Sequence, residues 1–263
     1  MSKALQHWNG ISWKTSKFYR KHTTGKAIIV CGGPSLAKID TTKLLGPGKT
    51  VIGMNTTYPL VRPDIWFGMD NPRCYDRNLI LEPFPKIYRG NYWKKEVQKH
   101  LLRDTPNSHF MSIYKQKDED YWKCFNEDCD AFCWQTNSFM AVIAFTLSMG
   151  FKDIYLVGCD LSNAESDYFD GRKLLEEEKA SNSRLHTQLY SWLRKIQPTV
   201  NSRGVTLHSM TEKSKINKFL PYTSLEDLNI EIEEEMLLDN APWYNSMTLQ
   251  KMSESGIKDE DIK

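Results

Sequence analysis

Several features that define specialised classes of protein are missing from this chain. No apolar run is long enough to cross a lipid bilayer as a helix, and residues 1–8 lack the apolar core of a secretory signal. We therefore expect a cytoplasmic protein whose six cysteines are mostly reduced. Acidic residues are absent before Asp40, so residues 1–25 form a basic N-terminal extension, and a peripheral role at a membrane surface stays open.

The charge and the length also narrow the range of functions. The formal net charge is only +2 over 263 residues, which gives no general attraction for nucleic acid. A hydrophobic share of 40% and a charged share of 26% are typical of a globular protein with one substantial domain, free to form a homo-oligomer. We expect this domain to span residues 26–225, with an irregular insertion at 115–134 and an acidic tail at 226–263.

The insertion contains a cluster of three cysteines, Cys124, Cys129 and Cys133. Their spacing matches no zinc-binding motif, and an obvious fourth ligand is missing. The sequence therefore predicts no metal centre there.

The first clear strand signal is the apolar run at residues 27–31, which breaks into Gly32, Gly33, Pro34 and Ser35. Such a run predicts a strand buried on both faces of a parallel sheet. Glycines just past its end let the backbone turn sharply and approach a ligand closely. Ser35 is a good N-cap for a following helix, whose free N–H groups favour a phosphate. The glycines lack the dinucleotide-binding spacing and the P-loop lysine, so neither of those nucleotide sites follows.

The rest of the chain alternates strands with helices. The best helical pattern runs from Ser138 to Met149, and a second amphipathic helix is predicted over 183–196, with Pro198 after its end. The other strands are expected at 50–54, 64–69, 86–89, 109–113, 153–158 and 204–207, and a short helix at 214–219. This alternation predicts a single Rossmann-like α/β domain with a mostly parallel sheet flanked by helices.

Polar residues and glycines follow several of the predicted strands. In a parallel sheet, ligands bind beyond the carboxyl ends of the strands. This rule gathers residues that are far apart in sequence along one crevice, namely Gly32, Gly33, Asn55, Asp70, Asn71 and Asp160. We expect this crevice to be the binding site.

Four blocks of sequence, in order, resemble the bacterial sialyltransferases of glycosyltransferase family 42. Residues 28–36 are similar to that family's strand followed by G-N-G-P-S-L, and residues 54–55 to its strand ending in asparagine. Residues 71–72 match an Asn-Pro pair, and residues 138–160 resemble a serine-led helix running into G-Y-K-E-I-Y-L-S-G-I-D. The MptE-like family, which transfers diphosphate to a hydroxymethylpterin, resembles the chain equally well at 62–65 and 158–160.

The sialyltransferase resemblance implies a variant of the GT-A architecture and an inverting glycosyltransferase. Such an enzyme moves a sugar from a CMP-activated donor to a hydroxyl of a glycan or another acceptor, without a required cofactor. In this pattern His186 is the general base and Tyr168 binds the departing phosphate. Asn55 and Asn71 would hydrogen-bond the cytidine nucleotide, and Ser138 would lie near the nucleotide or the donor sugar.

The chain departs from the family pattern at three positions, and two alternatives stay open. Gly32 replaces a nucleotide-contacting asparagine, Ser162 a phosphate-binding tyrosine and Gln135 an arginine. One alternative is a diphosphokinase of the MptE-like kind, in which Asp70 and Asp160 carry a Mg²⁺ ion that bridges ATP phosphates. The other is a non-catalytic relative that binds a nucleotide sugar without turnover.

The chemistry of sugar transfer suits the two proposed catalytic side chains. The acceptor hydroxyl must lose its proton, which a neutral histidine can take. We expect His186 in the first turn of its helix, where the positive end of the dipole favours the neutral imidazole. A tyrosine hydroxyl such as that of Tyr168 can donate to the departing phosphate, and a monophosphate can leave without a divalent ion. Asp160 either braces the crevice or holds a metal or substrate group.

Overall fold

The computed structural model describes residues 5–16, 25–114, 122–126, 132–133, 137–161 and 168–228. Its main feature is a nine-stranded sheet. The strands are β1 (Leu5–Trp8), β2 (Trp13–Thr15), β3 (Lys26–Val30), β4 (Lys49–Met54), β5 (Ile65–Gly68), β6 (Lys86–Arg89), β7 (Ser108–Met111), β8 (Asp153–Val157) and β9 (Thr206–Ser209). The helices are α1 (Lys123–Asn126), α2 (Ser138–Met149) and α3 (Glu176–Ser202), with several short 3-10 turns between elements.

The sheet is parallel over most of its width. Its strand order is β9-β8-β3-β4-β5-β6-β7-β1-β2, and the first seven strands in this order pair in parallel. Alternate residues of β3 point to opposite faces, so Ala27 and Ile29 join one buried cluster while Ile28 and Val30 join another. This confirms the predicted fold class, a mostly parallel α/β sheet flanked by helices.

The sequence predicted no strands in the basic extension at residues 1–25, but the structure has two there. Leu5–Trp8 pairs antiparallel with β7, and Trp13–Thr15 pairs antiparallel with Leu5–Trp8. The described part of the extension therefore widens the sheet at the edge farthest from β9. The two strands are short and contain few alternating apolar residues, so the sequence pattern did not predict them.

Helix α2 is buried on every side and lies against the sheet. Nearly all of its residues are inaccessible to solvent, including Phe145 at 0% exposure. The Asn137 side chain caps its start by accepting a hydrogen bond from the backbone N–H of Met140 at 3.2 Å. Gly150 ends it in the left-handed conformation with φ 97°. The predicted bounds of this helix, 138–149, are confirmed.

Helix α3 is longer at both ends than the predicted 183–196. Three glutamates, 176–178, occupy its first turn, where the helix dipole favours negative charge. The Glu178 carboxylate also accepts a hydrogen bond from the backbone N–H of Leu175 at 2.8 Å. Pro198 lies inside the helix instead of beyond its end. The helix continues past the proline because Val200, at 0% exposure, packs into the core.

The turn after β3 also differs from the prediction. It leads into a 3-10 helix, Pro34–Lys38, whose N-cap is Gly33, so Ser35 lies within the helix and does not cap it. A five-residue 3-10 helix has no extended set of free N–H groups that could bind a phosphate. The Ser35 hydroxyl donates instead to the Asp160 carboxylate. None of the helices in the described part of the chain combines the length and apolar character needed to cross a bilayer.

Candidate functional site

A cavity opens at the carboxyl ends of β3, β4 and β8. The chain leaves β3 towards one face of the sheet, where Leu36 and Leu44 pack, and leaves β8 towards the other face, where α3 packs. The point where neighbouring parallel strands diverge in this way is the usual ligand site of open α/β sheets. The described residues that line the cavity are Cys31, Gly32, Gly33, Pro34, Met54, Asn55, Asn137, Ser138, Phe139, Gly158, Cys159, Asp160, Leu161, Tyr168, Asn182, Leu185, His186 and Leu189.

The floor of the cavity is a close approach between the loops after β3 and β8. The backbone N–H of Gly33 donates to the carbonyl oxygen of Gly158 at 3.0 Å. A Cβ atom on Gly33 would lie 2.1 Å from Asp160 Oδ2, and one on Gly158 would lie 2.4 Å from the Cys31 carbonyl oxygen. Both glycines are therefore needed for this contact. For Gly33, the sequence had predicted such a close approach from its position just after β3.

Asp160 braces the glycine turn. Its Oδ2 atom accepts hydrogen bonds from the Ser35 hydroxyl at 2.8 Å and from the Ser35 backbone N–H at 3.3 Å. Ser214 holds the same loop from below by donating its hydroxyl to the Cys159 carbonyl oxygen at 2.7 Å. Of the two interpretations that the sequence allowed for Asp160, these hydrogen bonds support the bracing role.

Asn55 and Ser138 form the side of the cavity next to β4 and β5. Asn55 adopts the left-handed conformation, φ 50°, at the end of β4, and its Oδ1 atom accepts a hydrogen bond from the Tyr75 hydroxyl at 3.4 Å. Its Nδ2 atom has no partner among the described residues and is free to donate. Ser138, the first residue of α2, accepts a hydrogen bond from the backbone N–H of Met69 at 3.3 Å. This bond ties the start of α2 to the end of β5.

Tyr168 and His186 line the same cavity, and Asn182 of helix α3 contacts the tyrosine. The Asn182 side chain donates to the Tyr168 hydroxyl at 3.4 Å. Because Asn182 and His186 are four residues apart on α3, they lie on one face of the helix, one turn apart. The tyrosine ring also lies beside Gly32, where a Cβ atom would be 3.6 Å from Tyr168 Cδ1. The two predicted catalytic side chains are thus neighbours in the cavity.

His186 favours its neutral form, but for a reason other than the predicted one. The helix begins at Glu176, so His186 lies in its third turn and is too far from the N-terminus for the dipole to act. Burial, with a smaller contribution from the Lys215 charge, lowers the pKa of His186, while Asp160 opposes this shift. Its Nδ1 atom is buried and has no hydrogen-bond partner among the described residues.

Asp70 and Asn71 lie outside the cavity lining, contrary to the predicted crevice. Both side chains are exposed. Asn71 caps the 3-10 helix Pro72–Cys74 by accepting from the backbone N–H of Arg73 at 3.3 Å. The backbone N–H of Asp70 donates to the Tyr75 hydroxyl at 2.9 Å, so the segment meets the cavity only through Tyr75 and Asn55. The strand-end rule places residues at the right edge but does not say which way a side chain points.

Four of the positions singled out in the sequence lie wholly or partly outside the described residues. They are Gln135, Ser162, Cys129 and the side chain of Cys133. Cys124 is buried beside Phe125 in the core. Within the described ranges, no three His, Cys, Asp or Glu side chains are grouped so that they could hold a metal ion.

Several cavity residues were missed by sequence reasoning. Asn182 lies just before the predicted start of the second helix, and Leu185 lies within that helix but was not assigned to the cavity. Lys215 does not line the cavity, but its charge acts on His186 from a 3-10 helix after β9. Leu161 adopts the left-handed conformation, φ 47°, which is unfavourable for leucine and typical of backbone held by its surroundings at a binding site. The triple glutamate at 176–178 is the one sequence signal that could have extended the helix and exposed Asn182.

Comparison with known proteins gives only a distant likeness. No family model and no curated protein matches the chain. The sialyltransferase CstII from Campylobacter jejuni in complex with cytidine-5'-monophosphate is 19% identical, with 87% of this chain and 97% of that chain covered and a TM-score of 0.46.

Two further solved structures lie in the same range. The sialyltransferase CST-II in complex with a trisaccharide acceptor and CMP is 20% identical, with 87% and 98% covered and a TM-score of 0.46. The monofunctional α-2,3-sialyltransferase Cst-I from Campylobacter jejuni is 13% identical, with 94% and 99% covered and a TM-score of 0.40. At these values the likeness carries no weight for function, which rests on the residues of this chain.

A matched pair of glycine variants tests the cavity floor. Gly33→Ala forces a methyl group against the Asp160 carboxylate and the Gly158 carbonyl. We therefore expect the free energy of unfolding to fall by about 1–3 kcal/mol. Gly32→Ala meets only ordinary contacts, the nearest at 3.6 Å, and should unfold like the wild type. Denaturant unfolding followed by circular dichroism measures both. Equal stability of the two variants would contradict the close approach.

Proposed function

We propose that the chain is a glycosyltransferase of the sialyltransferase type, which transfers a sugar from a CMP-activated donor to an acceptor hydroxyl with inversion. The observation that carries this proposal is the placement of Tyr168 and His186 in one cavity, with the Tyr168 hydroxyl bonded to Asn182, which lies one helical turn before His186. The cavity lies at the point of the sheet where nucleotides commonly bind. The cytoplasm is the compartment that we propose for it.

His186 acts as the general base in this proposal. Its lowered pKa keeps most of the side chain neutral near pH 7, so the imidazole can accept the proton of the acceptor hydroxyl as the sugar bond forms. The same partial burial excludes competing water from one side of the ring. The positive charge of Lys215 also disfavours protonation of His186 and so helps to lower its pKa.

Tyr168 stabilises the departing phosphate. Its hydroxyl accepts a hydrogen bond from Asn182, which leaves the phenolic proton free to be donated to a phosphate oxygen. Arg172 stacks on the ring, with its guanidinium carbon 4.4 Å from the ring centre, and this contact fixes the ring orientation. Glycans and other hydroxyl acceptors are the partners that this chemistry requires.

The nucleotide would lie between the glycine turn and Asn55. Gly32 offers backbone that a ligand can approach, and the unpaired Nδ2 atom of Asn55 offers a donor. The resemblance to family 42 assigns the cytidine to this side of the cavity. Asp160 supports the turn and supplies no step of the reaction. The transfer as proposed needs no metal ion, whereas the diphosphokinase alternative needs Mg²⁺.

Calorimetry with CMP, CDP and ATP, each with and without Mg²⁺, tests the donor class. We expect CMP to bind without the metal, and Asn55→Ala to weaken this binding by about 1–3 kcal/mol through loss of a buried hydrogen bond. The exposed Asn201→Ala serves as the control and should bind CMP like the wild type. Binding of ATP only, and only with Mg²⁺, would favour the diphosphokinase instead.

Removal of the base tests the reaction itself. His186→Ala should lower the rate of transfer from a CMP-sugar by about 10²–10⁴-fold, since that is the usual contribution of a positioned general base. CMP affinity should stay within twofold or so of the wild type, because the base contacts the acceptor. The exposed His100→Ala is the matched control. Undiminished transfer by His186→Ala would exclude this role and leave a binding protein as the better description.

The pH dependence tests the environment of His186. Protonation of the base at low pH stops the reaction, so kcat/KM should rise with pH through a pKa below the ordinary histidine value of 6.5. Lys215→Gln removes a charge that lowers this pKa, so the rising limb should move to higher pH. The exposed neighbour Lys213→Gln should leave the profile unchanged. An unmoved limb in Lys215→Gln would contradict the assignment.

A further inference from the structure

The edge of the sheet formed by β1 and β2, far from the cavity in the strand order, exposes apolar and basic side chains that the proposed reaction does not use. We define the hairpin edge as the β1–β2 hairpin together with Trp93 and Arg103, which pack against it. At its tip, Ile11 is 86% exposed, more than any other large hydrophobic side chain in the described part of the chain. A single exposed apolar residue is ordinary on a protein surface, so its neighbours decide whether it has a role.

The turn that carries Ile11 is well defined. The Asn9 side-chain oxygen accepts hydrogen bonds from the backbone N–H groups of Ile11 at 3.0 Å and Ser12 at 2.8 Å. The Asn9 backbone N–H donates to the Ser12 carbonyl oxygen at 3.2 Å, and Gly10 takes the positive φ of 94° that this turn requires. The hydrogen bonds of this turn therefore hold Ile11 pointing outward, so that its side chain does not fold back onto the sheet.

Two tryptophans lie directly behind Ile11. Trp8 and Trp13 face each other across the hairpin with ring centres 5.5 Å apart. Arg103 lies with its guanidinium carbon 5.4 Å from the centre of the Trp8 ring and 5.3 Å from that of Trp93. These cation–π contacts keep the indoles at the surface, half-exposed, beside a permanent positive charge.

The surroundings of the hairpin edge are basic. Residues 5–16 and 89–104 contain six lysines and arginines and only two acidic residues. The basic residues are Lys14, Arg89, Lys94, Lys95, Lys99 and Arg103, and the acidic ones are Glu96 and Asp104. Lys14, Lys94, Lys95 and Lys99 are exposed. The excess of positive charge here is larger than the formal net charge of +2 of the whole chain.

We propose that the hairpin edge docks on the surface of an anionic lipid bilayer, with Ile11 inserted among the acyl chains near the headgroups. Tryptophans prefer the depth at which headgroups meet hydrocarbon, and lysines next to them attract anionic lipids. The order found here, an apolar tip, then indoles, then cations, matches the order of layers in a membrane surface. A soluble polyanion would use the cations but would have no need of Ile11.

Vesicle sedimentation tests this proposal on the full chain. We expect binding to phosphatidylcholine vesicles that contain phosphatidylglycerol, and much weaker binding to phosphatidylcholine alone or at high salt. Ile11→Ser should weaken binding about tenfold by loss of apolar burial, and Ile11→Trp should retain it. Lys14→Gln combined with Lys94→Gln should weaken it about 25-fold, about fivefold for each charge.

Matched variants away from the edge serve as controls. Leu45→Ser removes an exposed apolar side chain elsewhere on the surface, and Lys38→Gln with Lys43→Gln removes two other exposed charges. Both should bind vesicles like the wild type, and thermal unfolding should show that every variant is folded. Failure of the wild-type chain to bind anionic vesicles would overturn the proposal. So would unchanged binding by Ile11→Ser with loss in the lysine variant, because that pattern describes a general polyanion site, which heparin would also occupy.

Discussion

The contact between the loops after β3 and β8 is the constraint on which the candidate site depends. The chain leaves these neighbouring strands towards opposite faces of the sheet, and this contact joins the two loops where they begin. Gly33 and Gly158 allow their backbones to meet at hydrogen-bond distance, and Asp160 fills the space that a side chain on Gly33 would occupy. Ser35 then fixes the carboxylate with two hydrogen bonds. The other residues that line the cavity surround this contact.

The remaining walls come from helices α2 and α3, which pack on one face of the sheet, and from the segment with Tyr168, whose Phe169 packs on the other face. Helix α2 is buried throughout and brings Ser138 to the end of β5. The segment with Tyr168 lies over the glycine turn, where the backbone N–H of Phe169 donates to the Gly32 carbonyl oxygen at 3.2 Å. Helix α3 then supplies Asn182 and His186. Residues that are distant in sequence therefore line one cavity, formed by the glycine turn and three separate elements.

The sequence was sufficient for the fold and for bringing most of the predicted residues to one cavity, for identifiable reasons. Apolar runs such as that of β3 and the clear helical pattern of α2 gave nearly correct bounds, because burial on all sides leaves an unbroken signal. The start of α3 was missed because its exposed first turns carry little apolar pattern, and its end because a buried Val200 outweighs the break expected at Pro198. Asp70 and Asn71 were assigned to the cavity by their place at a strand end and by the family resemblances. The direction of a side chain depends on local turns that a pattern does not contain.

Helix α3 is anchored at its C-terminal end, and the side chains that it places in the cavity come before the anchored part. Leu189, Leu193, Ile196 and Val200 are buried in the core, whereas the residues before Leu185 are mostly exposed. The direction of His186 is therefore set by its distance along the helix from Leu189. One inserted or deleted residue between them would rotate the imidazole by about 100° around the helix axis and away from the cavity. We expect evolution to vary freely the length of the chain ahead of this helix, while the three-residue interval from His186 to Leu189 stays fixed in length.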